Sequence, residues 1–215
     1  MKRYLNIIAI GFLCMGIFSC KKDSFNYPDG TVGISKITYF PILTLKGDRV
    51  MLLVKGTAFT DPGVTATEAG AAIPATASGQ VNINTPGVYD ISYSATNKDG
   101  YPASISRKVV VYDTKADAAA NNFSGKYARD TNGAISNWTK LGPGVYSVSN
   151  PGGADATFSV IVFNDSGNHV FIPSQLASDD VATSSANEVP YNTNRYSWVI
   201  KRANYGPALR TFVKQ

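Results

Sequence analysis

The feature that most limits the fold is a regular alternation of side-chain type in VYDISYSAT, residues 88–96. Tyr89, Ile91 and Tyr93 fall on one side of an extended chain, and mostly polar residues fall on the other. A period of two is typical of a β-strand with one buried face. NKDG, residues 97–100, follows at once and predicts a tight hairpin, because Gly, Asn and Asp accept positive φ angles. This part of the chain is therefore predicted to form an antiparallel sheet.

Composition extends the prediction to the rest of the chain. The sequence has 19 Gly, 11 Pro, 12 Tyr and 10 Phe, and only 16% of its residues are charged. Aromatic and β-branched residues favour pleated strands, and Gly and Pro favour the turns between them. Lys115–Asn121 is the one short helix candidate. We therefore predict an all-β protein with one large or two small domains.

The N-terminal residues have the layout of a secretory signal peptide. Lys2 and Arg3 precede an apolar run of roughly 14 residues, whereas a helix that spans a bilayer needs about 20. IFSC, residues 17–20, resembles the lipobox of bacterial lipoproteins. The resemblance implies cleavage before Cys20 and acylation of its thiol, which gives a membrane anchor. The alternative is an ordinary cleaved signal that leaves a free thiol at Cys20.

Residue counts exclude several kinds of site. If Cys14 is removed with the signal and Cys20 carries lipid, no disulfide or cysteine nucleophile can form. His169 is the only histidine, so a multi-histidine metal site and Cys-His catalysis are excluded within one chain. Loss of Lys2 and Arg3 lowers the formal net charge from +5 to +3. The remaining cations are scattered, so nucleic-acid binding is not predicted.

No motif for catalysis, a metal or a cofactor is found. Carboxylates at Asp179, Asp180 and Glu188 could serve a glycosidase-like site only on rigid supports. They fall in ASDDVATSSANEVPY, residues 177–191, which is polar and without periodicity. This segment is predicted to be a mobile or binding loop, and the protein is predicted not to be an enzyme.

Breaks in composition predict the domain organisation. Residues 1–19 are predicted to be a lipoprotein signal peptide, residues 20–32 a lipidated tether and residues 114–122 a linker. These segments flank two strand-rich blocks, residues 33–113 and 123–215.

The first block carries the motifs of a known family. AFTDPGVTATEAG, residues 58–70, is followed by SGQVNINTPGVYDISYSATNKDGYPASISRKVVVYD, residues 78–113. These strings resemble the Ig-like domains of bacterial surface and secreted proteins. The resemblance implies a seven-strand β-sandwich of antibody-like topology. It does not imply a ligand, because such domains often serve as spacers.

The second block resembles the C-terminal domain of two-domain Bacteroides-type lipoproteins, whose function is uncertain. The similarity rests on SGKYARD, residues 124–130, on GVYSVSNPGG, residues 144–153, and on YSWVIKRANYGPALRTFVK, residues 196–214. It implies a second antiparallel β-sandwich or β-barrel. It also implies an outer-membrane location, cell-surface exposure, and company with polysaccharide-uptake systems and their transporters.

Aromatic residues with polar neighbours are the best candidates for ligand contact. A flat ring with polar groups at its rim suits the apolar face and the hydroxyl groups of a sugar. Alternation places Trp198 beside Tyr196 and Ile200 on one strand face, which favours the core for that indole, whereas loop-edge positions favour exposure. The candidate ligand-binding residues are Trp138, Tyr191, Arg195, Trp198 and Tyr205.

Two functions follow from these observations. The first is non-catalytic binding of a polysaccharide or oligosaccharide by the second block, with the Ig-like block as a spacer. The second is a structural or adhesive surface protein that binds another protein. Exposed aromatic rings that line a groove would favour the glycan, and a flat apolar patch would favour the protein partner.

Overall fold

The computed structural model describes residues 28–32, 35–154 and 158–215. Contacts divide the chain into two units, Met1–Tyr39 and Phe40–Gln215. In the first unit, β1 (Thr31–Val32) and β2 (Ser35–Lys36) pair in antiparallel fashion. The predicted signal peptide and Cys20 lie outside the described residues. Within those residues, no helix has the length and apolar character needed to cross a bilayer.

The second unit begins with seven strands in two sheets. The sheet orders are β3-β5-β6 and β4-β9-β8-β7, and only the β4–β9 pairing is parallel. This arrangement confirms the predicted Ig-like sandwich. The strands are β3 (Ile42–Leu45), β4 (Val50–Val54), β5 (Val64–Glu68), β6 (Ala71–Ala72), β7 (Thr76–Ser78), β8 (Gly87–Thr96) and β9 (Pro102–Tyr112).

The alternation read from the sequence decides which side chains enter the sandwich. On β8, Ile91 and Tyr93 are buried, while Ser92 and Ser94 on the opposite face are exposed. Ile91 and Tyr93 pack with Val109 of β9 in one apolar cluster. The inner face of the sandwich is therefore built from the odd-numbered positions of β8 and β9.

A buried arginine ties the sandwich together. Arg107 on β9 is fully buried, and one of its terminal nitrogens lies 2.6 Å from Asp61 Oδ1. The same nitrogen donates to the Tyr93 hydroxyl at 3.1 Å, and Arg107 also donates to the backbone carbonyls of Asp48 and Lys46. The guanidinium thus links the Asp61 turn to the core through partners that satisfy its charge.

The pKa values of its partners follow from this network. Burial, and then the hydrogen bond to Asp61, raise the pKa of Tyr93 to about 12. At Asp61, burial favours the neutral form, but the hydrogen bonds from Tyr93, Gly63 and Arg107 and the charge of Arg107 outweigh it, so the carboxyl pKa falls below 3.8.

A single helical turn, α1 (Ala116–Ala119), leads into a nine-strand antiparallel sheet. Its order is β14-β13-β12-β11-β10-β18-β17-β16-β15. The strands are β10 (Gly125–Arg129), β11 (Ile135–Gly142), β12 (Val145–Ser149), β13 (Ser159–Ser166), β14 (His169–Phe171), β15 (Gln175–Leu176), β16 (Ala182–Asn192), β17 (Arg195–Arg202) and β18 (Arg210–Lys214).

This sheet curls until its two ends meet. The Gln175 side chain, which is buried, accepts from the Ile161 amide at 2.8 Å and donates to the Ile161 carbonyl at 2.7 Å. Farther along, the Ser185 amide donates to the Ile172 carbonyl at 3.1 Å. Where β13 meets β15, the Gln175 side-chain amide therefore makes the two hydrogen bonds that the backbone of a neighbouring strand would otherwise make. The result is a curled half-barrel, and it confirms the predicted all-β class with a second antiparallel domain.

The segment predicted to be a loop, residues 177–191, is largely strand. β16 pairs with β17 along most of its length, but the register shifts between Ala186 and Val189 and again between Pro190 and Asn192. Each irregularity breaks the period of two. For this reason, the sequence shows no alternation although the chain is hydrogen-bonded.

The buried ion pair leads to a stability prediction. Arg107→Met removes the positive charge that neutralises Asp61 and leaves two backbone carbonyls without their donor, so we expect a loss of about 3–5 kcal/mol in the free energy of unfolding. Urea denaturation measures this change. Lys55→Met is the control, because the pair of Lys55 with Asp113 has side chains that are 44% and 57% exposed, and the expected change is within about 0.5 kcal/mol. Equal effects of the two substitutions would contradict the structure.

The closure of the half-barrel leads to a second prediction. Gln175→Leu keeps most of the side-chain volume but leaves the Ile161 amide and carbonyl without partners, so we expect a loss of about 2–4 kcal/mol. Thermal and urea unfolding measure it. Gln215→Leu, at the exposed C-terminus, is expected to change stability by less than about 0.5 kcal/mol. A neutral Gln175→Leu would show that the closing hydrogen bonds do not matter.

Candidate functional site

The two tryptophans lie in the half-barrel core. Trp138 is 3% exposed and Trp198 is fully buried, and their rings stack with centroids 5.8 Å apart. Trp138 Nε1 donates to the Tyr196 hydroxyl at 2.9 Å, and Trp198 Nε1 donates to the Pro151 carbonyl at 2.9 Å. Because their faces are covered and their donors are satisfied, neither indole offers a platform to a ligand in solvent. Trp138 and Trp198 are therefore no longer candidates for contact with a ligand.

Tyr205 is half-buried at the edge of the same core. Its ring packs edge-on against Phe158 at 5.8 Å, and the Arg210 guanidinium lies 4.9 Å from the ring centroid. The Cβ of any larger residue at Gly152 would come within 2.5 Å of this ring. Tyr205 thus packs over the Gly152 backbone, and its contacts are structural.

Tyr191 and Arg195 remain at the surface, and the structure brings them together. Tyr191 is 44% exposed, and the Arg195 guanidinium lies 4.7 Å from its ring centroid near the tip of the β16–β17 hairpin. The arginine covers one face of the ring. This pair is accessible, but none of the cavities described below includes it.

The Ig-like sandwich and the half-barrel share an apolar core. Val88 and Val110, on the outer face of the Ig-like sheet, pack with three residues on the outer face of the half-barrel: Val145, Ile161 and Phe163. All five are buried. We call this contact the joint. Lys108 adds a hydrogen bond across it, because its Nζ donates to the Leu176 carbonyl at 2.7 Å.

A cavity lies at each end of the joint, and each is lined in part by the outer face of β9. Ser106, Lys108, Val110 and Tyr112 follow one another at every second position. Val110 lies in the joint, whereas Ser106 and Lys108 line one cavity and Tyr112 lines another. Both cavities have a volume of about 210 Å³, which suits one ring-sized group better than a whole drug-sized ligand.

The first cavity, here called the aromatic cleft, has walls formed by Tyr112, Phe163 and Phe171. Phe163 and Phe171 meet edge to face at 5.7 Å, and the His169 ring stacks on Phe171 at 5.1 Å. His169 is held in turn, since its Nδ1 lies 2.8 Å from Asp165 Oδ1. These contacts fix Phe163 and Phe171, two of the three rings that line the cleft.

Polar groups surround the aromatic cleft. Asp113, Lys115 and Asp165 lie at its rim. Asp113 is paired with Lys55 at 3.0 Å and Asp165 with His169, whereas the Lys115 ammonium has no side-chain partner among the described residues. The cleft therefore combines fixed apolar faces with one available donor.

The second cavity, here called the serine pocket, combines polar side chains with an apolar lining of Val50, Val160, Ile161 and Ala177. Its Gln175 side chain is already bound to Ile161, and Ser178 Oγ accepts from the Ser159 amide at 2.8 Å. Lys108 is neutralised by Asp90 at 2.7 Å. The lining residues used below are Arg49, Ser106, Lys108, Ser147, Ser159, Gln175, Ser178 and Asp180.

Two of the three carboxylates named in the sequence, Asp179 and Glu188, are engaged by neighbouring side chains. Asp179 is held by Arg202, and the hydrogen bond from Arg202 lowers its pKa below 3.8. Glu188 accepts instead from Ser185 Oγ at 2.5 Å. Over the described ranges, no three His, Cys, Asp or Glu side chains are grouped so that they could hold a metal ion.

The sequence reasoning missed both cavities. VVVY, residues 109–112, and VIVF, residues 160–163, are unbroken apolar runs. Such runs are typical of strands buried on both faces. These runs could have indicated that the outer faces of the two sheets are packed against each other.

Comparison with known proteins supports part of this account. Residues 43–111 match the family model described as "Bacterial surface protein, Ig-like domain". The chain therefore contains an Ig-like domain of the bacterial surface type, as predicted. A search of the curated proteins finds no match.

Three solved structures resemble the chain loosely. A lipoprotein from Bacteroides thetaiotaomicron has 23% identity and a TM-score of 0.41, over 82% of this chain and 100% of the other. A Clostridium perfringens M60 catalytic domain with two CBM51 domains has 16% identity and a TM-score of 0.33, over 83% and 21%. A C. perfringens CBM51 domain in complex with GlcNAc, with INT domains, has 18% identity and a TM-score of 0.31, over 81% and 41%. Likeness at this level does not assign a ligand.

The burial of Trp138 leads to a stability prediction that distinguishes a core residue from an exposed residue on which a ligand could stack. Trp138→Ala removes a buried ring and leaves the Tyr196 hydroxyl without its donor, so we expect a loss of about 3–5 kcal/mol in unfolding free energy. Tyr191→Ala, at the exposed hairpin, is expected to cost less than about 1 kcal/mol. Urea denaturation measures both changes. A Trp138→Ala protein as stable as the wild type would contradict the burial of this ring.

Proposed function

We propose that the protein is a lipid-anchored envelope protein that binds a glycan without catalysis. It serves in this proposal as an accessory of an outer-membrane polysaccharide-uptake system, and the aromatic cleft holds a sugar. The supporting observation is the cleft itself, in which fixed rings line a cavity of ring size and polar groups stand at its rim. A sugar has an apolar face ringed by hydroxyl groups, which matches both features.

Two of the cleft residues have definite roles in this proposal. Tyr112 offers a half-buried ring against which the apolar face of a sugar can stack. Lys115 supplies an ammonium group that has no competing side-chain partner among the described residues, so it can donate to a hydroxyl or carboxylate oxygen of the sugar. The paired Asp113 and Asp165 accept hydrogen bonds from hydroxyl groups at the rim.

The location is part of the same proposal. The match of residues 43–111 to an Ig-like domain of bacterial surface proteins supports a place at the cell surface. Residues 17–20 supply the sequence pattern for acylation at Cys20, and residues 20–32 supply the tether. An outer-membrane transporter is the proposed partner, to which a bound glycan would be passed.

A second candidate function, binding to another protein, is favoured by one observation. Phe40 and Tyr101 are exposed, with ring centroids 5.5 Å apart, on the Ig-like sandwich. Exposed aromatic pairs are enriched where proteins meet. This surface does not include either cavity at the joint, so substitutions separate the two functions.

A glycan array tests the proposal. The chain from Lys21 to Gln215, which contains every described residue, is applied together with its Tyr112→Ala and Lys115→Ala variants. We expect binding to one class of glycan, and each substitution is expected to weaken it by about tenfold or more, which corresponds to about 1.4 kcal/mol. Thermal unfolding shows whether each variant is folded.

Tyr191→Ala is the matched control, because it removes an exposed tyrosine that lies outside the cleft. It is expected to bind as the wild type does. If no plant, host or microbial glycan binds, glycan recognition is wrong. If binding is lost only with Tyr191→Ala, the protein binds glycans but the cleft is not the site.

A further inference from the structure

The serine pocket continues into a sheet surface rich in hydroxyl groups. Beyond the joint, the outer face of strands β7, β8 and β9 carries only small polar side chains over two rows. Pairing of the strands aligns Ser78, Ser92 and Ser106 in one row and Thr76, Ser94 and Ser104 in the next. We call these six residues the hydroxyl face. Ser106 belongs to both the face and the pocket, so the two surfaces are continuous.

The spacing on the hydroxyl face is regular. Neighbouring strands in a sheet lie about 4.8 Å apart, and alternate residues along one strand lie about 7 Å apart. The hydroxyl groups therefore form a regular grid of donors and acceptors. Such a grid can meet successive hydroxyl groups of an extended polymer, and it has no side chain large enough to block its path.

Several groups on this surface have no partner of their own. Thr76 Oγ1 is bonded to Ser94 Oγ at 2.9 Å, but the hydroxyls of Ser92, Ser104 and Ser106 bond to no other group within the part of the chain that the structure describes. They remain available to a ligand. A hydroxyl group can donate one hydrogen bond and accept two, so each of these serines can act as donor or as acceptor to a sugar hydroxyl.

Charges in the serine pocket favour a neutral ligand. Arg49 and Asp180 are both lining residues of the pocket, and neither side chain forms an ion pair with any described residue. The third charge, on Lys108, is already paired with Asp90. One free cation and one free anion beside four serines can donate to and accept from adjacent hydroxyl groups, whereas an ionic ligand would meet one charge of the wrong sign.

We infer that the serine pocket and the hydroxyl face form a second glycan site, which takes an extended chain of neutral sugars. Arg49 and Asp180 hold one sugar in the pocket, and the hydroxyl face receives the sugars that follow. The inference rests on the proposed function, since it extends glycan binding to a second surface. It also gives the Ig-like sandwich a direct contact with the ligand.

Calorimetric titration with neutral oligosaccharides tests this site. The probes are cello-, xylo- and manno-oligosaccharides from disaccharide to octasaccharide, added to the chain from Lys21 to Gln215 in which Tyr112→Ala has removed the aromatic cleft. We expect a long oligosaccharide to bind this variant more tightly than a disaccharide. Arg49→Ala is expected to weaken binding of both by about tenfold or more, because it removes a charge-assisted hydrogen bond.

A substitution on the hydroxyl face separates the pocket from its extension. Ser92→Lys places a long charged side chain in the middle of one row, so we expect the affinity for the octasaccharide to fall to that for the disaccharide, with the disaccharide unaffected. Thr44→Lys is the control, since it makes the same kind of change at an exposed hydroxyl on β3 of the other sheet. It is expected to change neither affinity.

The outcomes distinguish this inference from the proposed function. If the wild type binds an oligosaccharide but the Tyr112→Ala chain binds none, the second site is wrong and the aromatic cleft stands. If short and long oligosaccharides bind equally, or Ser92→Lys and Thr44→Lys act alike, the hydroxyl face has no part in binding. If the wild type binds no probe here and no glycan on the array, both proposals fail.

Discussion

The apolar joint around Val110 is the contact on which the rest of the structure depends. It buries the outer faces of two β-sheets that would otherwise face water, and it holds the Ig-like sandwich and the half-barrel in one compact unit. Burial of apolar surface contributes about 25 cal/mol per Å², so five buried side chains make a substantial contact. Gly142 contributes to the fit, because a Cβ there would come within 2.6 Å of Leu52. Both cavities exist because the joint covers only the middle of the β9 outer face.

In both the Ig-like sandwich and the half-barrel, a buried polar side chain adds hydrogen bonds that hold parts of the backbone together. In the sandwich, Arg107 brings a full charge into the core and satisfies it with a carboxylate, a hydroxyl and backbone carbonyls. In the half-barrel, Gln175 occupies the place of a missing strand and lies beside the serine pocket. Such groups are costly when unpaired but fix a single arrangement when every bond is made. For the serine pocket, this means that the Gln175 side chain in its lining is held by hydrogen bonds to both backbone groups of Ile161.

Side-chain alternation predicts the parts of this fold in which the two faces of a strand differ. It places Ile91 and Tyr93 inside the sandwich, and it places Tyr196 and Trp198 together in the half-barrel core. It fails for Trp138, where an exposed Asn137 on one side gives no hint that the facing strands close over the indole. It also fails at β16, whose bulges disrupt the period. Alternation also breaks down at the joint, where apolar residues on both faces of a strand give the unbroken runs of residues 109–112 and 160–163; these runs indicate burial on both faces but not which sheet covers the outer one.

Calorimetry on the chain from Lys21 to Gln215 tests the central claim, that the sandwich and the half-barrel fold as one body, most directly. The shared core predicts a single heat-absorption peak whose calorimetric and van't Hoff enthalpies agree, as expected when all parts unfold together. Two separable transitions would contradict it. They would show that the domains are joined only by the chain, and that cavities lined by both have no fixed shape.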